Sequence, residues 1–292
     1  MNTPDAEPKG GPKPVDAQAP SPPSTPPMAG ADPEFDVRLR RATRRGFATA
    51  GISILAGYGA WRWLIDRPER DGLIWPLRRV LEANERLAIG TIRPSRLAPD
   101  FDRSLARTPR VNELIGMAEQ GITIDPSIWR LDVGGGPLER GQRLIGLDEI
   151  KAHPRFEQTT ELKCIEGWST VVSWAGVRLA DLAASTGLAS RSGGPYAPAR
   201  TPDDLYRYVS LATPSKEYYV GLDMPSALHP QTLLCYEMNG KPLSVDHGAP
   251  LRLVIPLKYG IKNIKQIGAI RFTDRRPVDY WAERGYDWYA GH

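Results

Sequence analysis

The chain has 292 residues, of which 41% are hydrophobic and 25% charged, with a net charge of +4. Those values exclude a disordered chain and a multi-span membrane protein, and the basic residues are too scattered to form a nucleic-acid groove. Cys164 and Cys235 are the two cysteines. They form no CxxC, zinc-ligand pair or haem attachment sequence, so no disulfide framework is expected, although a single Cys164–Cys235 bridge stays open.

In chain order, residues 1–35 come first, rich in proline and almost free of large apolar side chains. Such a stretch cannot bury a core and is expected to be disordered. Residues 36–66 then place Arg38, Arg40, Arg41, Arg44 and Arg45 ahead of an uncharged run from Gly46 to Trp61. At 16 residues the run is short for a membrane span, which needs about 20, and suits a signal-like segment better. Arg44, Arg45, Gly46 and Phe47 resemble a twin-arginine export motif. Without a small-x-small cleavage site, an uncleaved anchor through residues 46–65 stays open, as does an amphipathic helix packed on the protein body. The expected location is the periplasm or the extracytoplasmic face of the inner membrane.

Residues 67–292 are expected to form one catalytic domain. "IWPLRRVLEANERLA" predicts a helix with Ile74, Leu77, Leu81 and Ala88 on one face, and "TPRVNELIGMAEQG" a second, closed by Gly121. The glycine run in "VGGGPLERGQRL" has neither GxGxxG order nor a GK[ST] ending and predicts a turn. "VRLADLAASTG" predicts a helix stopped by Gly187. Six short runs, "IWRLDV", "ELKCIEG", "LYRYVSLA", "EYYVGL", "LRLVIP" and "IGAIRFTD", predict strands. Together these give an α+β domain with a β-rich core and flanking helices.

Catalytic signatures such as GxSxG, HExxH and the Walker lysine are missing from the sequence. Residues 247–273 instead hold Arg252, Lys258, Lys262, Lys265 and Arg271 without one Asp or Glu. Glycines that let backbone N–H groups approach an anion, together with those cations, describe a cradle for a phosphate-bearing ligand. The plain alternative is a solvated basic strand pair that guards a sheet edge. Cys164, in "ELKCIEGWST", is either a small core hydrophobe or a soft thiolate ligand for a redox metal. On the strand reading, Glu166 points to the same face as Cys164, where it could serve a proton transfer.

Three stretches, "CIEGWSTVVSWAGVRLADL", residues 208–272 and "YWAERGYDWY", in that order resemble the sulfite-oxidase-like molybdenum enzymes. The nearest branch is the one that contains the periplasmic methionine-sulfoxide reductase catalytic subunit. The resemblance implies a sulfite-oxidase-type molybdopterin-binding fold and a single-pyranopterin molybdenum cofactor (Mo-MPT). It implies Cys164 as the thiolate on molybdenum and Glu166 as an active-site acid. It also implies Asn112, Thr213, His247, Arg252, Asn263, Ile264 and Lys265 around the pterin and its phosphate. His247 stands where that branch has Asn, and the Gly-Asn-Arg type sequence of true sulfite oxidases is missing after Cys164, which disfavours sulfite. The expected activity is two-electron, oxygen-atom-transfer-type reduction of a sulfoxide or similar oxide, small or protein-bound. Electrons would come from a partner such as a membrane cytochrome. A sulfite dehydrogenase-like enzyme and a non-catalytic anchored binding protein are the alternatives. "DYWAERGYDWY" frames either the substrate mouth or a partner surface, or simply packs the tail.

Overall fold

The computed structural model describes residues 33–70, 72–91, 96–111, 124–135, 141–194 and 202–292. The chain divides into two compact units, Met1–Trp61 and Arg62–His292. The first contributes most of helix α1 (Pro33–Ile65), which carries the arginine cluster and the uncharged run. Phe47, Ile52, Ile54, Leu55, Tyr58 and Trp61 are exposed along it. Gly and Ala dilute its hydropathy, and no described helix is long and apolar enough to cross a membrane.

The second unit opens with a two-residue ladder, β1 (Glu69–Arg70) and β2 (Leu73–Ile74), that leads into α2 (Trp75–Thr91). The predicted helix is present, but its inward face differs at one position. Leu77 is exposed, and Arg78 is buried instead, donating to the carbonyls of Arg70 (3.4 Å), Tyr286 (3.1 Å) and Ala282 (2.6 Å). Apolar periodicity alone could not register a buried guanidinium that satisfies three carbonyls, that of Ala282 buried and the other two partly so. The helix predicted around residue 115, including Asn112, lies outside the described residues.

Next come β3 (Arg130–Gly135), β4 (Gln142–Gly146), α3 (Leu147–Lys151), β5 (Phe156–Lys163), β6 (Ser169–Arg178) and α4 (Leu179–Thr186). Gly134 and Gly135 extend β3 where the sequence predicts a turn, and residues 136–140 lie outside the described residues. α4 ends at Gly187, as its sequence predicts. After it follow β7 (Tyr208–Ala212), β8 (Tyr219–Asp223), α5 (Met224–Ala227), β9 (Leu233–Met238), β10 (Lys241–Pro242), β11 (Arg252–Val254) and β12 (Ala269–Thr273).

The strands form two five-stranded sheets. One runs β10-β9-β6-β5 with β11 paired to β9, and the other runs β4-β3-β12-β7-β8. All ladders are antiparallel except β12 with β3. A single core cluster draws Leu131, Val133, Leu211 and Ile270 from the second sheet and Val177, Leu234 and Leu253 from the first. Alternation along the first sheet sends Leu233, Cys235 and Val254 to its other face, under Trp174. Cys235 is fully buried there and Cys164 is free, so the open disulfide reading is not realised. The architecture is mixed helix and sheet with a β-rich core, the α+β class expected from the sequence.

Candidate cofactor and active site

β5 and β6 pair over eight residue positions and are joined by a tight turn that carries Cys164. The Cys164 N–H donates to the Trp168 carbonyl at 2.9 Å, and the Gly167 N–H donates back to the Cys164 carbonyl at 3.2 Å. Gly167 has φ of +85°, which a side chain would resist, and this explains the glycine after Glu166. The turn corrects the strand reading of "ELKCIEG": β5 stops at Lys163, and strand alternation does not govern Glu166. Glu166 is exposed on the turn, where its carboxylate accepts from the Trp168 indole N–H at 3.0 Å.

Beside the turn lies a pocket of about 980 Å³, mouth included. Cys164, Thr213, His247, Arg252, Asn263, Ile264 and Lys265 all line it. Of the residues expected at the site, Glu166 is outside the lining and Asn112 is not described. The sequence reading missed Trp168, Tyr218 and Ile261, which form apolar walls. Of the closing aromatic segment only Trp281 reaches this pocket, while Trp288 and Tyr289 are buried in a separate cluster.

Each lining group has a stated environment. Burial raises the Cys164 thiol above its ordinary value, and the Glu166 carboxylate adds to the rise. A thiol held protonated is a poor nucleophile, so only a strong electrophile such as a metal ion would draw out its thiolate. His247 ends a short 3₁₀ turn, Val245–His247, with Nδ1 3.2 Å from the Ser244 hydroxyl. Its Nε2 is buried and has no hydrogen-bond partner among the described residues, although the Pro109 carbonyl is near enough to favour the protonated ring. Burial, then Arg252 and Lys265, outweigh that carbonyl and depress the imidazole, which is therefore neutral at pH 7.

Arg252 is buried against the Trp174 ring, 4.6 Å from its centroid, and donates to the carbonyls of His247 (3.0 Å) and Asn263 (3.2 Å). Burial pulls it down to about 10, which leaves it charged at neutral pH. Its Nε has no hydrogen-bond partner among the described residues. Burial and the nearby Arg252 pull Lys265 down to about 8. Neither cation has an ion-pair partner among the described residues; Asp246, also in the lining, acts on Lys265 from beyond contact distance, so the pocket presents two cations against one acid. Gly248 lets the two approach: at φ +103°, a Cβ there would meet Lys265 Cβ at 2.9 Å and Arg252 Cβ at 3.1 Å.

Asn263 shapes the wall through structure. Its Oδ1 accepts from the Ile255 N–H at 2.8 Å and its Nδ2 donates to the Tyr259 carbonyl at 3.2 Å. Thr213 locks the following turn, donating to the Tyr218 carbonyl (3.2 Å) and accepting from the Tyr218 N–H (3.3 Å). The rest of the basic segment looks elsewhere: Lys258 and Lys262 sit behind the pocket against acids, and Arg271 pairs with Asp132. Lys258 and Lys262 are buried, so the solvated-strand alternative fails for this segment.

Among the described residues no group of three or more His, Cys, Asp or Glu could hold a metal ion alone. One soft thiol beside an apolar-walled, cationic pocket with an orphaned imidazole nitrogen therefore fits a metal whose remaining ligands arrive with an anionic organic group. A sequence profile described as the oxidoreductase molybdopterin-binding domain matches residues 118–281. An Azospira oryzae chain, named as a proposed protein-methionine-sulfoxide reductase subunit YedZ1, is 32% identical over 258 residues, 88% of this chain and 89% of its own. The protein-methionine-sulfoxide reductase catalytic subunit MsrP of Xanthomonas axonopodis pv. citri is 39% identical over 165 residues, 54% of this chain. This chain spans about half the length of that relative, 49%. A solved structure, the sulfane dehydrogenase SoxCD of Paracoccus pantotrophus, is similar over 53% of this chain and 40% of its own at 18% identity and a TM-score of 0.42, too partial a likeness to argue from.

Proposed function

The chain belongs to the oxidoreductase molybdopterin-binding domain family, and from that premise we propose that it reduces a sulfoxide, free or protein-bound, at the pocket beside Cys164. The observation that carries this reading is the convergence in one pocket of the Cys164 thiol, the His247 ring and Arg252 and Lys265, two cations without an ion-pair partner among the described residues. In it, Cys164 Sγ would hold molybdenum, Arg252 and Lys265 the phosphate, and His247 Nε2 a polar edge of the pterin. When bound, the cofactor supplies two-electron oxygen-atom-transfer chemistry.

The chain's own residues have three tasks. Trp168, Trp281 and Ile261 offer an apolar surface to a thioether-like side chain and exclude water from it. The Glu166 carboxylate, oriented by the Trp168 indole, is the group beside Cys164 that can hold and release a proton. The balance is sulfoxide plus two electrons and two protons giving sulfide plus water. The electrons need an outside donor, for which a membrane cytochrome is the proposed class. The arginine-rich α1 supports an exported or membrane-tethered location, a reading that rests on its twin-arginine-like sequence.

The test is metal analysis and turnover of the full chain made in a host that supplies the cofactor. About one molybdenum per chain is expected, with loss of metal in Cys164→Ser. Methionine sulfoxide should be consumed with an artificial electron donor, and sulfite should not be oxidised. Folded protein without molybdenum, or Cys164→Ser with unchanged metal, overturns the cofactor assignment. Loaded protein that turns over sulfite and no sulfoxide overturns the direction.

A further inference from the structure

Helix α2 carries its charges in an inverted arrangement. Its acids turn inward: Glu82 reaches Arg70 at 3.5 Å and Glu85 reaches Arg276 at 2.8 Å, with the carboxylate side chains only 24% and 12% exposed. Turned outward are Leu77, Val80 and Leu87, exposed by 46%, 55% and 67%. At 100° per residue these three fall within one arc, with the exposed Ala83 beside them. Arg79 and Arg86, seven residues apart, run along one border of that arc, both exposed and neither in an ion pair among the described residues. The Arg79 guanidinium lies 5.1 Å from the centroid of the exposed Trp75 ring.

A solvated helix face normally mixes acids with bases and leaves apolar residues scattered. Here an apolar stripe, interrupted by Asn84, has Arg79 and Arg86 along one border, while both acids of the helix are paired on the side turned towards the protein body. That is the pattern of a helix lying in a membrane interface, its apolar side chains at the acyl boundary and its arginines at the phosphates. An acidic protein groove would answer the arginines but gains less from the stripe, and an apolar groove has no use for the arginines. We propose that α2 docks on an anionic phospholipid surface through Leu77, Val80 and Leu87, with Arg79 and Arg86 bound to lipid phosphates. This goes beyond the redox reading and does not depend on it. On the inner side of the helix, Arg78 holds the carbonyl of Ala282, next to the pocket residue Trp281, so the docked face lies one layer behind the site.

The test uses the full chain loaded with cofactor and a nitroxide placed at Leu87→Cys, with a second at Ser104→Cys as a solvent-exposed reference. On vesicles containing phosphatidylglycerol, the Leu87 label should become accessible to oxygen and shielded from a water-soluble relaxation agent, while the Ser104 label stays wet. Pure phosphatidylcholine vesicles should not produce this, and Arg79→Glu with Arg86→Glu should weaken partitioning about tenfold or more. A label that stays wet while the protein sediments with vesicles overturns the proposal and assigns binding to α1. Protein that does not sediment overturns it as well. Shielding seen only when the vesicles contain a membrane redox protein overturns it in favour of a protein partner. Molybdenum content and sulfoxide turnover of the same preparation report separately on the redox reading.

Discussion

Arg252 and Lys265 come from the same acid-free segment as Lys258 and Lys262, yet the two pairs have opposite employment. The first pair borders the pocket without an ion-pair partner among the described residues. The second is met by acids from outside the segment. Lys262 is completely buried and bonds Asp279 at 2.5 Å and the Gly221 carbonyl at 2.9 Å. Lys258 lies 3.7 Å from Asp223 and 2.8 Å from the centroid of the Tyr289 ring. A run of lysines is therefore no count of phosphate contacts. What separates a ligand site from a structural pin is the acid, often far away in sequence, that does or does not come to meet each cation.

The largest expected break in this comparison is Lys262→Met. It leaves the Asp279 carboxylate buried without its cation and should cost about 3–5 kcal/mol in urea denaturation, with no effect specific to the cofactor. Next is the pH dependence of Lys258. Burial pulls its ammonium to about 7 from 10.5, against the favourable influence of Asp223, Asp287 and Glu85 and together with the unfavourable one of Lys262. Below about pH 7 both folded and unfolded chains carry the proton, and the cost of burying the charge is fully present. As pH rises towards 10.5 the unfolded chain holds more protons than the folded one, so stability rises. Lys258→Met should remove a rise on the order of 3 kcal/mol between pH 7 and 10, read as the difference from the parent chain.

Lys265→Met should behave in the opposite way from Lys262→Met. The cofactor-free chain should be at least as stable as the parent, because a half-buried charge without an ion-pair partner among the described residues is gone. Retention of the phosphate-bearing cofactor should fall by about 2 kcal/mol, roughly thirtyfold, measured as molybdenum and pterin content after dialysis. The smallest effect is expected for Trp168→Phe, which keeps the apolar wall and deletes the 3.0 Å donor to Glu166. Turnover should fall roughly two- to fivefold with substrate KM little changed.

Much of this was legible in the sequence where local pattern and ordered motifs agreed. Alternation found the strands at 130–135, 208–212, 219–223 and 269–273, and Gly187 marked the end of α4. β6 and β9 escaped notice because both are buried on two faces and so do not alternate; Val172, Ser173, Trp174 and Ala175 are all covered, as are Leu233 to Tyr236. Cys164 was legible as a candidate site residue only through its neighbours further along the chain, since an isolated cysteine has the pattern of core; the structure places it in the pocket lining. Glu166 was misplaced because the hairpin turn is announced by Gly167 alone. The neutralised lysines could not be told from the free ones, because Asp223 and Asp279 lie outside their segment and only folding makes them neighbours.

The pocket draws its walls from Pro109, the turn at Cys164, the loop at Thr213, the stretch from Val245 to Gln266 and finally Trp281. These arrive at the ribosome's exit in that order, spread over most of the domain. A cofactor is thus enclosed only once segments from Pro109 to Trp281 have packed together. Any passage of the loaded protein across a membrane must then be passage of a folded body.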